Sequence, residues 1–404
     1  MLLELDDALD RLLAALTPCS AAEDVELSGA VNRVLAMDVT ARDPSPPFAN
    51  SAMDGYALRS ADADLDSFEI VETIYAGSAP QRTLGAGECT RIFTGAPMPT
   101  GADAVIAQED AEADGQRVRF RERPSAGRFV RRAGGDFATG EPLVAAGTRL
   151  HAGHLALIAA GGHGTVSLRP DVRVALLCTG DELTDPDAQL APGQIHDTQR
   201  FALPAIVGTG PARVVSQQRV EDRPEALSAA FAAAAREADA IVTTGGVSVG
   251  DADHVRDVLG REGRIDFWRL AIKPGRPFAF GTAHGVPVFG LPGNPVSSIV
   301  TALLLLRPAL ERLAGMTPTP TPRHPARLAN RARKQPGRRD FQRARLSLDE
   351  DGGLLAHPFE RQDSNILTTL ARADALVDLP TACGDLDVGA PVHVIDLRGL
   401  LGAR

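Results

Sequence analysis

The sequence predicts a multidomain α/β protein with a central, largely parallel sheet and helices on both of its faces. Three observations predict this. Strand-like apolar runs alternate with helical patterns over about 145 residues from Asp171 onward, the rhythm of βαβ units. Aromatic residues make up only 4% of a chain rich in Ala, Leu and Val, which suits helix-bearing α/β material and not a β-sandwich. The 404 residues suggest two or three domains at about 150 residues each.

The elements follow in order. "MLLELDDALDRLLAAL" is acidic and periodic, so it reads as an amphipathic helix ending near Thr17-Pro18 and not as a signal peptide. Residues 46–140 hold short β-like runs cut by Gly and Pro, among them "RIFTGAPMPTGADAVI" and "RVRFRER". "HAGHLALIAAGGHGTVSL" reads as a short helix turning into a strand. "VRVALLC" is a strand, 194–208 a helix, and "RVVSQQRV" a strand. "DRPEALSAAFAAAAREA" is a helix for which Asp222 can be the N-cap, with Glu225 completing a capping box. "DAIVTTGG" is a third strand, and a helix starts near Asp251. "VPVFGLPG" is a late strand, after which Asn294 caps a long helix with Pro295 at its first position. "TPTPTP" (317–322) is a stiff linker, and the β-rich C-terminal part carries Gly-Asp turns.

Composition excludes several functions. A net charge of -10 gives no overall attraction to nucleic acid. Residues 323–345 carry nine Lys or Arg against one acid, but Phe341 is their only aromatic, so stacking platforms for bases are lacking. The longest apolar run, Ile299 to Leu306, is too short to span a bilayer. The four cysteines are far apart and form no CxxC, which implies reduced thiols and a cytoplasmic protein. No Walker A, GxGxxG or GxSxG motif occurs.

In an open parallel sheet, ligands bind beyond the C-terminal strand ends. Three glycine-rich polar loops belong on that edge: "CTGDEL", "TTGGVSVGDAD" and "GLPGNPVSS". Gly293 allows close backbone approach, and the following helix N-terminus, with Ser297 and Ser298, suits an anion. The bland alternative is a capped helix. Gly245, Gly246 and Gly250 can form an anion nest. Asp251 and Asp253 can hold Mg²⁺ beside phosphates, or else cap a helix and face solvent. Arg269, Lys273 and Arg276 cluster near the same sheet, where they neutralise an oxyanion or form a solvated face.

"PFANSAMDGYA", "FTGAPMPTGADAV", "CTGDEL", "TTGGVSVGDAD", "AIKPGRPFAFG" and "GLPGNPVS" occur here in an order that resembles the molybdopterin molybdenumtransferases. That family comprises the bacterial MoeA proteins and the E domains of their plant counterpart and of gephyrin. The resemblance runs over nearly the whole chain. It implies insertion of molybdate into adenylylated molybdopterin with release of AMP, in the presence of Mg²⁺. It also implies an elongated homodimer of four-domain subunits: a discontinuous stalk (1–45 and 141–169), an inserted β-rich domain (46–140), a molybdopterin-binding α/β domain (170–316) and a C-terminal β-domain (317–404).

On this resemblance, Thr179, Gly180, Thr244, Gly245, Gly246, Ser248, Gly250, Pro292, Gly293, Asn294, Pro295 and Ser297 line the pterin-nucleotide pocket, with Arg269, Pro274 and Arg276 beside it. Asp251 and Asp253 form the magnesium end. Lys273, Arg343 and Ser364 fall at the molybdate site. Asp54, Thr94 and Asp136 face the cleft across the dimer, and Glu182 and Asp222 match further functional positions. Arg269 and Arg276 stand where many relatives carry lysine, which exchanges a point charge for a planar fork. The remaining readings are an adenylyltransferase of the same pathway, a tungstate-inserting paralogue and a non-enzymatic pterin-binding scaffold. Expected protein contacts are the adenylyltransferase and later cofactor-maturation proteins.

Overall fold

The structure is a computed structural model that describes residues 2–246, 254–318 and 321–401, with Trp268 described by its backbone. Near the N-terminus, strand Thr165–Arg169 lies antiparallel between Glu23–Glu26 and Val34–Leu35. Val39–Thr40 pairs with Pro142–Val144. The chain therefore leaves this unit near residue 40 and returns to it near residue 142. Helix Ala152–Ala160 adds Ile158 to a small core with Leu35, Val144, Leu150 and Leu168.

Between those points a six-stranded sheet runs in the order Ala104–Ala107, Gly55–Leu58, Glu88–Ile92, Phe68–Ile74, Arg117–Phe120, Ala111–Asp114. Side chains alternate across it, as the two-residue period of a strand requires. Tyr56 and Leu58 join one core with Cys89 and Ile106, while Ala57 joins another with Ile74, Ile92 and Val105.

The central sheet uses strands β1 (Val172–Thr179), β2 (Ala212–Val220), β3 (Ala240–Thr244), β4 (Gly263–Arg269), β5 (Pro277–Ala283) and β6 (Val286–Leu291). Their spatial order is β2-β1-β3-β6-β5-β4. The first four in that order are parallel, and β5 is antiparallel to both of its neighbours. Strand β1 reads as a continuous apolar run because both faces are covered. Val174, Leu176 and Cys178 face one core; Ala175 and Leu177 face the other. Helices Gln199–Val207 and Pro295–Leu313 cover the first face, and Pro224–Glu237 and His254–Glu262 the second. The helix from Pro295 contains a π turn over Ala302–Leu306, just before Pro308 withdraws a backbone donor from the ladder.

The C-terminal part closes a five-stranded barrel from His324–Leu328, Arg339–Leu348, Leu354–Pro358, Ala375–Leu379 and Pro391–Asp396. The basic segment 323–345 is thus folded into barrel strands and their connection.

Three expectations need correction. Helix Leu5–Ala15 contributes no residue to the small core of Leu35, Val144, Leu150, Ile158 and Leu168. Its Leu5, Ala8 and Leu12 enter the core of the central sheet, because the apolar stripe finds Leu306, Leu310 and Leu313 there. Asp222 is not a helix cap: Pro224 starts the helix, Arg223 holds the cap position, and no capping box forms. Asn294 does hold the cap position before Pro295, but its side chain makes no capping hydrogen bond.

Candidate active site

Strand order reverses between β1 and β3, since β1 connects outward to β2 and β3 connects toward the opposite edge. A crevice at such a switch point, beyond the strand ends, is where open α/β sheets bind ligands. Thr179 ends β1 and Thr244 ends β3, both buried. The Thr179 hydroxyl donates to the Thr244 carbonyl at 2.9 Å and pins the two ends together. Gly245 and Gly246 then turn with positive φ. A Cβ on Gly245 would lie 2.5 Å from the Thr179 carbonyl oxygen, so only glycine fits.

The third loop closes against these two. The Gly245 N–H donates to the Leu291 carbonyl at 3.2 Å, and a Cβ placed on Gly293 would lie 3.6 Å from Gly245 Cα. Gln199 reaches over to donate to the Gly293 carbonyl. Gly293 and Asn294 stay exposed at the edge, while Pro292 and Ser297 are buried. The predicted loops therefore do converge through Thr179, Gly180, Thr244, Gly245, Gly246 and Gly293. Ser248, Gly250, Asp251 and Asp253 lie outside the described residues.

An acidic group borders the crevice. Asp181 Oδ1 accepts the Asp222 N–H at 3.2 Å, and Asp222 Oδ1 is buried without a hydrogen-bond partner among the described residues. Burial pushes the Asp222 carboxyl above its ordinary range, and the nearby charges of Asp181 and Glu182 push the same way against His254. Glu182 is exposed, with its carboxylate folded over Gly180. Among the described residues, no group of three His, Cys, Asp or Glu side chains is placed to hold a metal ion. Cys178 is buried and its thiol is pushed up to about 12, so it is no nucleophile.

Strands β4 and β5 bring the cations to the same edge. β4 runs parallel to β6, so Arg269 at its end and Arg276 before β5 stand with the crevice loops. Both are exposed, and the Leu270 N–H donates to the Arg276 carbonyl to close the connection. At its tip, Ile272 and Lys273 pair with Arg339 and Asp340 of the barrel. Pro274 behind them is buried. Lys273 sits between two clefts, of about 460 and 730 Å³, that also take in Arg333, Lys334, Arg338 and Gln342. These barrel residues were not singled out from the sequence; the density of cations in 323–345 was the available signal.

Arg343 and Ser364 take unexpected roles. Arg343 is fully buried, at 0% exposure. Its guanidinium donates to the carbonyls of Arg361, Gln362 and Asp363 and to the Thr369 hydroxyl. This corrects the expectation of a side chain open to molybdate: the group is spent on the 361–363 loop. That loop delivers the Ser364 carbonyl to the Val296 N–H at 3.2 Å, in the first turn of the helix after "LPGNP". One of the donors expected to serve an anion is thereby occupied.

In the six-stranded sheet, Asp54 accepts both the N–H and the hydroxyl of Thr94 at 2.8 Å. These bonds, aided by Arg91, hold its carboxyl below the usual carboxylate range. Asp136 is exposed, and its N–H donates to the Ser45 carbonyl. Among the described residues, no hydrogen bond or ion pair joins 46–140 to 170–316. Within one chain these three residues are thus not bonded to the crevice elements among the described residues.

A switch-point crevice bordered by cations and an adjoining β-barrel define a protein that binds anionic small molecules on an α/β scaffold. Comparison with known proteins gives the family. Residues 3–162 match the MoeA N-terminal region (domain I and II), 175–312 the "Probable molybdopterin binding domain", and 325–397 the MoeA C-terminal region (domain IV). The molybdopterin molybdenumtransferase of Haemophilus influenzae is 35% identical over 99% of this chain and 100% of its own. Molybdopterin molybdenumtransferase 2 of Mycobacterium tuberculosis is 34% identical over 92% of this chain and 94% of its own. A molybdopterin biosynthesis MoeA protein of Pyrococcus horikoshii superimposes with a TM-score of 0.85 at 26% identity, covering 98% of this chain and 99% of that one. The chain belongs to the MoeA family of molybdopterin molybdenumtransferases.

Proposed function

We propose that this protein inserts molybdate into adenylylated molybdopterin and releases AMP. The observation that carries the reading is the convergence of the Thr179, Gly245 and Gly293 loops on the edge where the Lys273 connection joins the barrel. The relatives named as molybdenumtransferases match over nearly the full chain, including the inserted and C-terminal regions. That breadth favours insertion over adenylylation of the pterin.

The glycine loops seat the pterin nucleotide, with Thr179 and Thr244 fixing the crevice floor. Lys273, Arg269 and Arg276 offset the charge of two anionic substrates that would otherwise repel each other. Positioning does the catalytic work, without a protein nucleophile. Asp222, with a carboxylate oxygen that has no partner among the described residues and an acidic setting, is oxygen-donor chemistry of the kind Mg²⁺ takes. We assign the ion to Asp251 and Asp253. When bound, it supplies polarisation of the phosphoryl group.

The domain limits are those given above, with helix Leu5–Ala15 moved to the α/β core. The working form is a cytoplasmic homodimer in which Asp54, Thr94 and Asp136 reach the partner's crevice. No helix among the described residues is long and apolar enough to cross a membrane. The test is AMP release from adenylylated molybdopterin and Mg²⁺, with and without molybdate, beside an Asp253→Ala variant. Molybdate-dependent release lost in the variant is the expected result; release indifferent to molybdate refutes insertion.

A further inference from the structure

Gln199 spends a buried side chain on the third loop. It opens helix Gln199–Val207 and is 7% exposed. Asp197 fixes its backbone, because Asp197 Oδ1 accepts the N–H groups of Gln199 and Arg200, each at 3.2 Å. The Gln199 amide then donates through Nε2 to the Gly293 carbonyl, while Oε1 is buried and has no partner among the described residues. The amide points one way only, since the reverse would set oxygen against oxygen. A buried acceptor left unpaired costs stability. An apolar side chain of the same length would avoid that cost, so helix packing does not account for a glutamine here.

The Gly293–Asn294 peptide is trans, so its carbonyl and its N–H point in opposite directions. With the carbonyl drawn to Gln199, the Asn294 N–H faces away from it, at the exposed edge formed by Gly293 and Asn294. Among the described residues nothing accepts this N–H. The Asn294 side chain makes no capping bond that would hold the loop in its place. Glycine at 293 leaves the backbone free to turn, so the Gln199 bond sets which way the peptide faces.

We propose that Gln199 is a positioning residue: it orients the Gly293–Asn294 peptide so that the Asn294 N–H is presented to the nucleotide phosphate in the crevice. This rests on the reading of the third loop as part of the nucleotide seat. Gln199 does not touch the substrate and acts only through the Gly293 carbonyl. The group it presents is a neutral N–H, whose worth to an anion depends on being held in place beforehand.

Equilibrium binding of AMP to the full-length protein tests this with two substitutions. Gln199→Met keeps the length and removes the donor. It should bind AMP about tenfold more weakly, the loss of one positioned hydrogen bond to a charged group, while melting no lower than the parent. Gln199→Glu makes the donor depend on protonation. As a carboxylic acid it donates to the Gly293 carbonyl; as a carboxylate it repels that carbonyl. Its affinity should therefore approach that of the parent toward acid and fall about tenfold below it as pH rises. Asp197, with Cys178 beside it, is present in both proteins, so the ratio to the parent isolates the new carboxyl. A side chain that only packs the helix would show no such dependence. Parent-like binding by Gln199→Met, or a Gln199→Glu ratio that does not change with pH, overturns the proposal and leaves the nucleotide seat standing. A parent that binds no AMP removes the nucleotide seat, and this role of Gln199 with it.

Discussion

The ammonium of Lys273 lies 3.5 Å from Asp340 Oδ2, across the junction between the central sheet and the barrel. The lysine side chain is 45% exposed and the carboxylate 4%, so the charge on one side is buried and on the other is available. Asp340 therefore competes with any anion for Lys273. Asp340→Asn should lower the molybdate concentration for half-maximal AMP release by roughly threefold or more, an effect that fades with added salt. A higher molybdate requirement in this variant would contradict that competition.

Arg343 is predicted to matter through the loop it holds. Arg343→Ala leaves the carbonyls of 361–363 without their donor and opens a cavity in the barrel wall, at a cost of about 3 kcal/mol or more. Arg343→Lys should recover little, since one ammonium cannot reproduce the planar fork. Urea unfolding and proteolysis within 359–364 measure this. A fully stable, protease-resistant Arg343→Ala protein would return the residue to direct substrate contact.

Much of this was legible in the sequence, and the gaps have a common cause. The strands at 172–179, 240–244 and 286–291 are apolar runs closed by a glycine one or two residues on, and the structure places them where that pattern indicates. The three loops converge because strand polarity alone puts them on one edge. What local pattern did not settle was tertiary partnership. Asp222 has the sequence of a cap, but Pro224 sets the helix start and leaves its carboxylate beside Asp181. Arg343 looks like any cation of a basic stretch, and only the closed barrel shows it to be buried. The amphipathic stripe of the first helix fixes which face is covered, not which domain covers it.

Asp222 should make stability depend on pH in a defined direction. Its carboxyl is raised in the folded chain by burial and by Asp181 and Glu182. The folded state thus holds this proton more tightly than the unfolded one. The stability it adds is fully present below the ordinary carboxylate range and is lost as pH rises through the raised value. Asp222→Asn should therefore melt higher than the parent at neutral pH, with the gap closing toward acid, while AMP release falls about tenfold or more. A melting difference that does not change with pH would remove the like-charge account.

If Asp54 and Thr94 serve the partner's crevice, complementation follows. Asp54→Ala and Lys273→Ala chains are each inactive alone. Random mixing makes half the dimers heterodimers, each with one intact site of two, so roughly a quarter of the parent activity returns. Sites built within single chains give no recovery, because each chain then carries its own defect. Co-purification on two different tags followed by the AMP assay separates these outcomes.

Gly245 and Gly293 meet in the crevice, yet alanine should act differently at each. At Gly245, φ is +84° and a new Cβ would press on the Thr179 carbonyl at 2.5 Å. Backbone must move, so Gly245→Ala should cost about 2 kcal/mol or more and loosen the Thr179–Thr244 floor. At Gly293, a new Cβ meets only Gly245 Cα among the described residues, at an ordinary 3.6 Å. Gly293→Ala should fold with unchanged stability, and its methyl group then stands where a ligand must approach the backbone. Its defect should appear as weaker nucleotide binding, with AMP release per bound substrate preserved. Thermal melting beside equilibrium binding of AMP resolves the two. Equal destabilisation by both substitutions would mean that Gly293 serves packing, and would leave the close-approach role of the third loop without support.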